Sequence, residues 1–319
     1  MAENTVKKIA TRESYGNSLK ELAEEFPNLV VLDADLAAAT KTGIFRKAYP
    51  DRHIDCGIAE ENMMGVAAGL SLVGKIPFVS SFAMFAAGRA FEQVRNSIGY
   101  PHLNVKIGAT HAGITVGEDG ATHQCNEDIA LMRTIPGMVI LSPADDVEAR
   151  AAVIAAYNYE GPVYLRFSRL PSPVFHNPDN YEFHIGKGEK LTDGFDAAII
   201  ATGLMTAEAL RAAVLAKRQG ISVRVINMPT IKPLDEEIIL TAARECHNII
   251  TVEEHNIIGG LGEAVCSLLS EKMPTPVRRI GVQDKFGHSG PAAEVLRDYG
   301  LTAENIAATV REMVYPGTV

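Results

Sequence analysis

Tryptophan is absent from this 319-residue sequence, cysteine occurs only four times, and basic residues are outnumbered by acidic ones. Lys and Arg number 30 against 39 Asp and Glu, and the resulting net charge of −9 argues against nucleic acid or an anionic membrane as the main partner. Anionic small molecules are not excluded, because their sites need only a few local cations. Hydrophobic residues still make up 47% of the chain, which is ample for well-packed cores.

The four cysteines, at positions 56, 125, 246 and 266, have no CxxC spacing, so the sequence indicates neither a zinc site nor a disulfide framework. No apolar run reaches the length that spans a membrane. The N-terminal stretch MAENTVKKIATRESYG also lacks the apolar core of a signal peptide. We therefore expect a soluble cytoplasmic protein with reduced thiols.

Short apolar runs alternate with amphipathic segments along the chain, which is typical of parallel α/β layers. The pattern predicts helices over 14–26, 59–74 and 86–100 and a strand over IPFVSSF, residues 76–82. The sequence predicts an α/β protein with two parallel-sheet, three-layer domains at residues 1–175 and 195–319. The segment from about 171 to 194 is rich in Pro, Asn, Gly and Asp, and residues 176–194 between the domains are interpreted as a linker.

Four polar or aromatic residues follow predicted strand ends, and open parallel sheets bind ligands at the carboxyl ends of strands. These residues are Asp35, Phe82, His111 and Arg169. Their convergence predicts a site at this edge of the first sheet.

The stretch GITVGEDGATHQ, residues 113–124, contains three glycines and lies between His111 and His123. Its glycines permit tight turns that bring both imidazoles toward one cleft, where they suit acid–base work or hydrogen bonding to an oxyanion. Asp119 is suited to accept hydrogen bonds from a polyol. Each histidine is equally compatible with an ordinary turn residue, and zinc is disfavoured because no third ligand is correctly spaced.

Other candidates have competing interpretations. Glu60 begins a Gly/Ala-rich helix, and the residues alone favour a solvated acid over a buried carboxylate that exchanges protons with a ligand. Arg12 and Arg169 suit a phosphate or carboxylate clamp, although single arginines more often form surface ion pairs. Phe82 and Phe85 suit either the core or an aromatic wall for a flat ligand. The glycines of GGLGEAV (259–265) are interpreted as a close-packing turn and not as a nucleotide site.

The stretch GIAEENMMGVAAGLSLVGKIPFVSSFAMF, followed by THAGITVGEDGATHQCNEDIALMRTIPGMVILSPAD, resembles the pyrimidine-binding domain of transketolase. The resemblance continues through LRFSRLP and the C-terminal unit, so it covers nearly the whole chain. The motif H-x5-GEDG-xTHQ is its most specific part. It implies a pyrimidine-binding domain followed by a transketolase C-terminal domain.

The resemblance implies roles by position. Glu60 matches the glutamate that hydrogen-bonds N1′ of thiamine diphosphate and promotes its imino tautomer, which reverses the expectation from the residues alone. Phe82 and Phe85 match the aromatic wall around the aminopyrimidine. Asp35 matches an aspartate near the cofactor, and His123 matches a histidine facing the cofactor's 4′-amino group and the sugar.

Substrate contacts are implied in the same way. The residues that bind the sugar-phosphate tail are matched by His111, Arg12 and Arg169. Asp119 matches the aspartate that binds a substrate hydroxyl and distinguishes its configuration. Glu60, His111 and His123 are thus the candidate catalytic residues.

The sequence departs from the family pattern at two places. Ala39 stands where the family usually has a phosphate-binding serine, with Thr40 beside it. One extra residue lies between Phe85 and RAFEQVR, so Gly88 and Arg89 compete for the third contact with the aminopyrimidine.

Full-length transketolases also carry an N-terminal domain that grips the diphosphate through Mg²⁺ with a GDG motif, which this sequence does not contain. We therefore expect a C-terminal subunit of a split transketolase, with metal ligands on an N-terminal partner and none here. The expected assembly is α2β2 with a homodimeric core and the cofactor at the interface.

The implied reaction is transfer of a two-carbon ketol unit from a ketose phosphate to an aldose phosphate, as in the pentose phosphate pathway. Small residues in GVAAGLSLVG fit a close subunit contact or core packing. Three alternatives remain: a 1-deoxyxylulose-5-phosphate synthase-like subunit, a 2-oxoacid dehydrogenase E1 β-like subunit and a non-catalytic regulatory half.

Overall fold

The computed structural model describes residues 7–317. Contacts between residues divide the chain into two compact units that interleave along the sequence. The first unit runs to Ala112 and resumes at Leu131–Ile185, and the second contains Gly113–Ala130 and the chain from Gly186 onward. The predicted domain boundaries at 175 and 195 stay predictions, because these units group residues by contact and not by sequence segment.

The first unit is built on mainly parallel strands. They are β1 (Lys8–Ala10), β2 (Leu29–Asp33), β3 (His53–Asp55), β4 (Ile76–Phe82), β5 (Lys106–Thr110), β6 (Val139–Leu141), β7 (Val163–Arg166) and β8 (Pro171–Pro173). Within the unit the parallel order is β6-β7-β5-β4-β2-β3, while β1 and β8 form a separate antiparallel pair. Strand β2 reads LVVLD and is buried at every position, as expected for a parallel strand covered on both faces.

The helices of the first unit include the two long segments that the sequence predicts near 14–26 and 59–74. The α-helices are α1 (Thr11–Glu25), α2 (Ala37–Thr40), α3 (Gly43–Ala48), α4 (Glu60–Leu72), α5 (Phe91–Gln93), α6 (Asp128–Arg133, shared with the second unit) and α7 (Asp146–Asn158). Tyr15 of α1 packs in the core against Phe167, with ring centroids 4.8 Å apart.

A continuous helix predicted over 86–100 is instead a composite. Residues Met84–Arg89 and Val94–Gly99 form π-helical turns on either side of α5. In the first of these turns the amide of Ala90 donates to the carbonyl of Phe85 at 3.1 Å, five residues back. A π turn contains one more residue than an α turn, so it has room for the extra residue that the sequence resemblance predicts after Phe85.

The second unit has its own sheet in the order β14-β13-β10-β11-β9. Its elements are β9 (Glu189–Thr192), β10 (Ala197–Ala201), α8 (Met205–Lys217), β11 (Val223–Asn227), β12 (Thr230–Lys232), α9 (Glu236–Cys246), β13 (Ile249–Asn256), α10 (Leu261–Lys272), β14 (Val277–Val282), α11 (Ala292–Asp298) and α12 (Ala303–Val314). The pairs are parallel except that β9 runs antiparallel to β11. The predicted α/β class with mainly parallel sheets is therefore confirmed.

None of the helices within residues 7–317 combines the length and apolar character required to cross a membrane.

Candidate active site

The predicted edge of the first sheet exists. Strands β7, β5, β4 and β2 are successive neighbours and parallel, so their carboxyl ends share one edge. Phe82 is the last residue of β4, and His111 follows β5 directly. Arg169 lies three residues beyond β7 and Asp35 two beyond β2, so all four predicted residues are placed along that edge.

His111 is buried at the centre of this edge. Its ring stacks on Phe82 with centroids 3.8 Å apart, and its Nδ1 atom lies 2.9 Å from the hydroxyl of Thr110. Its Nε2 atom lies 3.1 Å from Nη1 of Arg12. The backbone of His111 is left-handed, with φ of 57°. This strained turn directs the imidazole at the strand end into contact with both Phe82 and Arg12.

Two arginines form a cationic cluster beside His111. Nη1 of Arg12 also donates to the carbonyl oxygen of Ala39 at 2.8 Å. Burial, and then the positive charge of Arg169, lower the pKa of Arg12. Its Nε atom is buried with no hydrogen-bond partner among residues 7–317. Two guanidinium groups that repel one another and an unsatisfied buried donor are features of an anion-binding site.

Glu60 is buried, with 1% of its surface exposed, so the interpretation as a solvated acid is wrong. Its Oε1 atom accepts a hydrogen bond from the hydroxyl of Ser81 at 3.0 Å, and its Oε2 atom accepts one from Nη1 of Arg89 at 2.7 Å. As the first residue of α4 it also lies at the positive end of the helix dipole. The carboxylate is therefore held in one orientation by a hydroxyl and a guanidinium.

An aromatic pair lies beside this carboxylate. The rings of Phe82 and Phe85 stack at 5.9 Å with an interplanar angle of 14°. The guanidinium carbon of Arg89 lies 4.5 Å from the centroid of Phe85. Because Arg89 touches both Glu60 and Phe85, the acid and the aromatic wall form one continuous surface.

Asp35 is exposed and has a left-handed backbone, with its amide donating to Oδ1 of Asp55 at 3.0 Å. The buried acid of this loop is Asp33, which the sequence interpretation did not single out. His53 lies 2.8 Å from its Oδ2 atom and Thr42 donates to it at 3.0 Å. Burial raises the pKa of Asp33, but these partners outweigh burial and hold it below its usual range.

The glycine-rich loop is a distorted 3₁₀ segment of the second unit over Ile114–Asp119, with a kink at Gly117. Asp119 is exposed, and His123 is half-buried with its Nδ1 atom 2.9 Å from the hydroxyl of Thr122. Gly113, Gly117 and Gly120 all have φ between 75° and 78°. The predicted role of the glycines in tight turns is confirmed.

Two buried side chains fix this loop within the second unit. Oε1 of Glu254 accepts the amide of Thr115 at 2.6 Å, and a Cβ atom at Gly113 would approach that carboxylate to 2.4 Å. Nε2 of Gln124 donates to the carbonyls of Ile114 at 3.1 Å and of His288 at 2.9 Å. Glu254 was not a sequence candidate, because it lies 139 positions from its partner.

The glycine-rich turn GGLGEAV packs closely around a buried carboxylate of the chain itself. Glu253 accepts the amides of Leu261 at 2.7 Å and Gly262 at 2.8 Å, at the first turn of α10. A Cβ atom at Gly260 would lie 2.0 Å from Glu253. The prediction of a close-packing turn is confirmed, since Glu253 takes the place that a bound anion would need.

Sequence comparison assigns both parts of the chain to one family. The family description "Transketolase, pyrimidine binding domain" matches residues 7–173, and "Transketolase, C-terminal domain" matches residues 186–306. The chain belongs to the transketolase family. Dependence on thiamine diphosphate is a property of transketolases, and the first matched region is named for binding the pyrimidine of that cofactor.

Relatives match the chain along nearly its whole length. A split gene transketolase, an inactive beta4 tetramer, is 53% identical with a TM-score of 0.89, over 96% of this chain and 98% of its own. A Methanocaldococcus jannaschii protein provisionally named a transketolase C-terminal section is 50% identical over 94% of this chain and 95% of its length. The 6-deoxy-6-sulfo-D-fructose transketolase subunit SqwH of Clostridium sp. is 44% identical over 95% of this chain and 94% of its length.

Proposed function

We propose that this chain is the C-terminal subunit of a two-subunit transketolase, which transfers a two-carbon ketol unit from a ketose phosphate to an aldose phosphate. The observation that carries the proposal is the buried carboxylate of Glu60 beside the stacked rings of Phe82 and Phe85. A buried acid next to an aromatic wall suits a flat heterocycle that exchanges a proton.

These residues fit the aminopyrimidine of thiamine diphosphate. Glu60 would hydrogen-bond N1′ and hold a proton there, while Phe82 and Phe85 pack against the ring and Asp35 lies near it. When bound, the thiazolium of the cofactor supplies the electron sink for breaking and re-forming a carbon–carbon bond. The chain's own part is to orient the ring and to supply a carboxyl group fixed by Ser81.

The sugar phosphate would bind at the cationic cluster of Arg12, Arg169 and His111. The buried Nε atom of Arg12, which has no partner among residues 7–317, supports an anionic ligand there. Ala39 offers its carbonyl to Arg12 and has no hydroxyl, so phosphate would depend on N–H donors more than in relatives with serine. Asp119 would accept a hydrogen bond from a substrate hydroxyl, and His123 would move a proton at the reacting carbon.

The partner would be an N-terminal subunit that carries the GDG motif and the Mg²⁺ ligands, in an α2β2 assembly with a homodimeric core. Helix α4 supports such a contact. A Cβ atom at Gly65 or Gly69 would meet no described atom within 4 Å, and Ile58, Leu72 and Val73 nearby are each more than 70% exposed. Ala67 and Ala68 on the same helix are buried, so the small residues serve both core packing and an open face.

The test is a coupled assay with xylulose 5-phosphate and ribose 5-phosphate, in the presence of Mg²⁺ and thiamine diphosphate. It compares this chain, a GDG-bearing N-terminal subunit from the same organism, and their mixture. The proposal expects turnover in the mixture alone and its loss with Glu60→Ala. Turnover of pyruvate with glyceraldehyde 3-phosphate would instead favour a 1-deoxyxylulose-5-phosphate synthase, and silence in both assays would favour a non-catalytic role.

A further inference from the structure

The sequence left Gly88 and Arg89 as alternatives for the contact that follows Phe85. Of the two, Arg89 is the residue that contacts Glu60 and Phe85. The π turn over Met84–Arg89 changes the direction of the side chains that follow Phe85. A Cβ atom at Gly88 would lie 2.2 Å from Cε of Met84, so that position is filled by the methionine. Arg89 is the residue whose side chain reaches Glu60.

The guanidinium of Arg89 makes two contacts at once. Its Nη1 atom lies 2.7 Å from Oε2 of Glu60, and its central carbon lies 4.5 Å from the ring centroid of Phe85. The Arg89 side chain is 45% exposed, whereas that of Glu60 is 1% exposed. Arg89 is therefore the solvent-facing member of the pair and can leave toward solvent without passing through the core.

These contacts are of the kind that the aminopyrimidine would make under the proposed function, on which this inference rests. The planar guanidinium of Arg89 packs on the ring of Phe85 and donates a hydrogen bond to Glu60. A guanidinium and a heterocycle cannot occupy one place together. We propose that Arg89 is a placeholder for the aminopyrimidine: it pairs with the Glu60 carboxylate until the cofactor binds and then swings out toward solvent.

Displacement of Arg89 would free Oε2 of Glu60 to meet N1′ of the aminopyrimidine. Ser81 keeps its bond to Oε1, so the carboxyl group stays oriented while its other oxygen changes partner. Arg89 is thus a positioning residue that acts through Glu60.

The first test is isothermal titration of thiamine diphosphate, with Mg²⁺, into the assembled two-subunit protein. Arg89→Ala should bind the cofactor more tightly, by up to about fivefold, because a competing ion pair that is partly exposed contributes no more than that. Arg95→Ala is the matched control, since Arg95 lies on the same helical stretch but donates to Asn96. It should bind as the wild type does.

A second measurement needs neither partner nor cofactor. In the isolated chain, Arg89→Ala should lower the thermal midpoint, because it leaves the buried Glu60 carboxylate without its cationic partner. Arg89→Gln retains an N–H donor without the charge and should show smaller changes in both measurements, which keeps the test open if the alanine variant fails to fold.

Lower stability without cofactor together with tighter cofactor binding is the signature of a placeholder, and a purely structural residue would not give the second effect. Unchanged or weaker binding in Arg89→Ala and Arg89→Gln would overturn the inference. A wild-type complex that does not bind thiamine diphosphate would instead overturn the proposed function, so the two failures are distinguishable.

Discussion

Nη1 of Arg12 lies 3.1 Å from Nε2 of His111 and 2.8 Å from the carbonyl oxygen of Ala39. A guanidinium only donates hydrogen bonds, so Nε2 of His111 accepts and its Nδ1–H donates to the hydroxyl of Thr110, 2.9 Å away. This network fixes the orientation of the His111 imidazole. It also joins helix α1, the α2 segment and the end of β5 at a single side chain.

Replacing Arg12 with lysine should weaken binding of phosphorylated substrate. Lysine is a point charge that cannot reproduce the planar set of donors, and a lost charged hydrogen bond costs about 1.5–3 kcal/mol. The expected result is a KM for ribose 5-phosphate raised by roughly tenfold to a hundredfold, with a smaller change in kcat.

Steady-state kinetics of the mixed subunits measure this effect. Unphosphorylated glycolaldehyde as acceptor should keep its KM in Arg12→Lys, and the exposed Arg46→Lys is the charge-matched control. An equal rise in KM for both acceptors would contradict a phosphate-binding role.

Gly113→Ala should destabilise the second unit by more than backbone strain explains. Gly113 and Gly74 have φ of 78° and 82°, so alanine is strained at both. A Cβ atom at residue 74 would meet no described atom within 4 Å, whereas at 113 it would lie 2.4 Å from Glu254. We expect a loss of about 1–2 kcal/mol for Gly74→Ala and a further 1–3 kcal/mol for Gly113→Ala. Urea denaturation measures both, and equal losses would show that Glu254 does not constrain the loop.

Asp33→Asn should reduce stability in a pH-dependent way. Its partners hold the pKa of Asp33 below the usual value, so this carboxylate stabilises the fold above the unfolded pKa, and that contribution disappears as pH falls through the folded pKa. At pH 7 the variant should lose about 1–3 kcal/mol of unfolding free energy. The difference from wild type should shrink below about pH 4. Urea denaturation of wild type and Asp33→Asn over this pH range measures the difference, and a difference that stays constant with pH would contradict the role given to Asp33.

Lys106 should make stability increase with pH in the alkaline range. Its Nζ atom is buried and donates to the carbonyls of Tyr159 at 2.6 Å and Gly161 at 2.7 Å. Burial lowers the pKa of Lys106 to about 7. Between that value and about 10.4 the unfolded chain binds one more proton than the folded chain. The free energy of unfolding should therefore rise with pH by at most about 1.4 kcal/mol per unit.

Denaturation between pH 7 and 10 tests this slope. Lys106→Met should flatten it. A slope that survives in Lys106→Met would assign the titration to another group.

The regular elements were predictable because their apolar patterns are local. Strand β4 was predicted at the bounds it has, and the four strand ends that carry Asp35, Phe82, His111 and Arg169 share one edge as expected. The contacts that orient the side chains were not predictable. Arg89 is the last residue of a π turn, and sequence periodicity cannot locate that turn.

Long-range polar contacts were missed for a related reason. Asp33 and His53 are 20 positions apart, and Glu254 meets the glycine-rich loop across 139 positions. Neither acid belongs to a local motif, so nothing in its own segment separates it from a surface carboxylate. The antiparallel edge strand β9 lies in a segment that reads as a linker, because four residues are too few for a clear alternation.

The central claim is that Glu60 of this chain activates a thiamine diphosphate held with a partner subunit. The most direct measurement is the rate of hydrogen–deuterium exchange at C2 of the cofactor, followed by acid quench and NMR. We expect fast exchange when both subunits are present, and a loss of at least a hundredfold with the isosteric Glu60→Gln. Equal exchange rates in wild type and Glu60→Gln, at full cofactor occupancy, would contradict it.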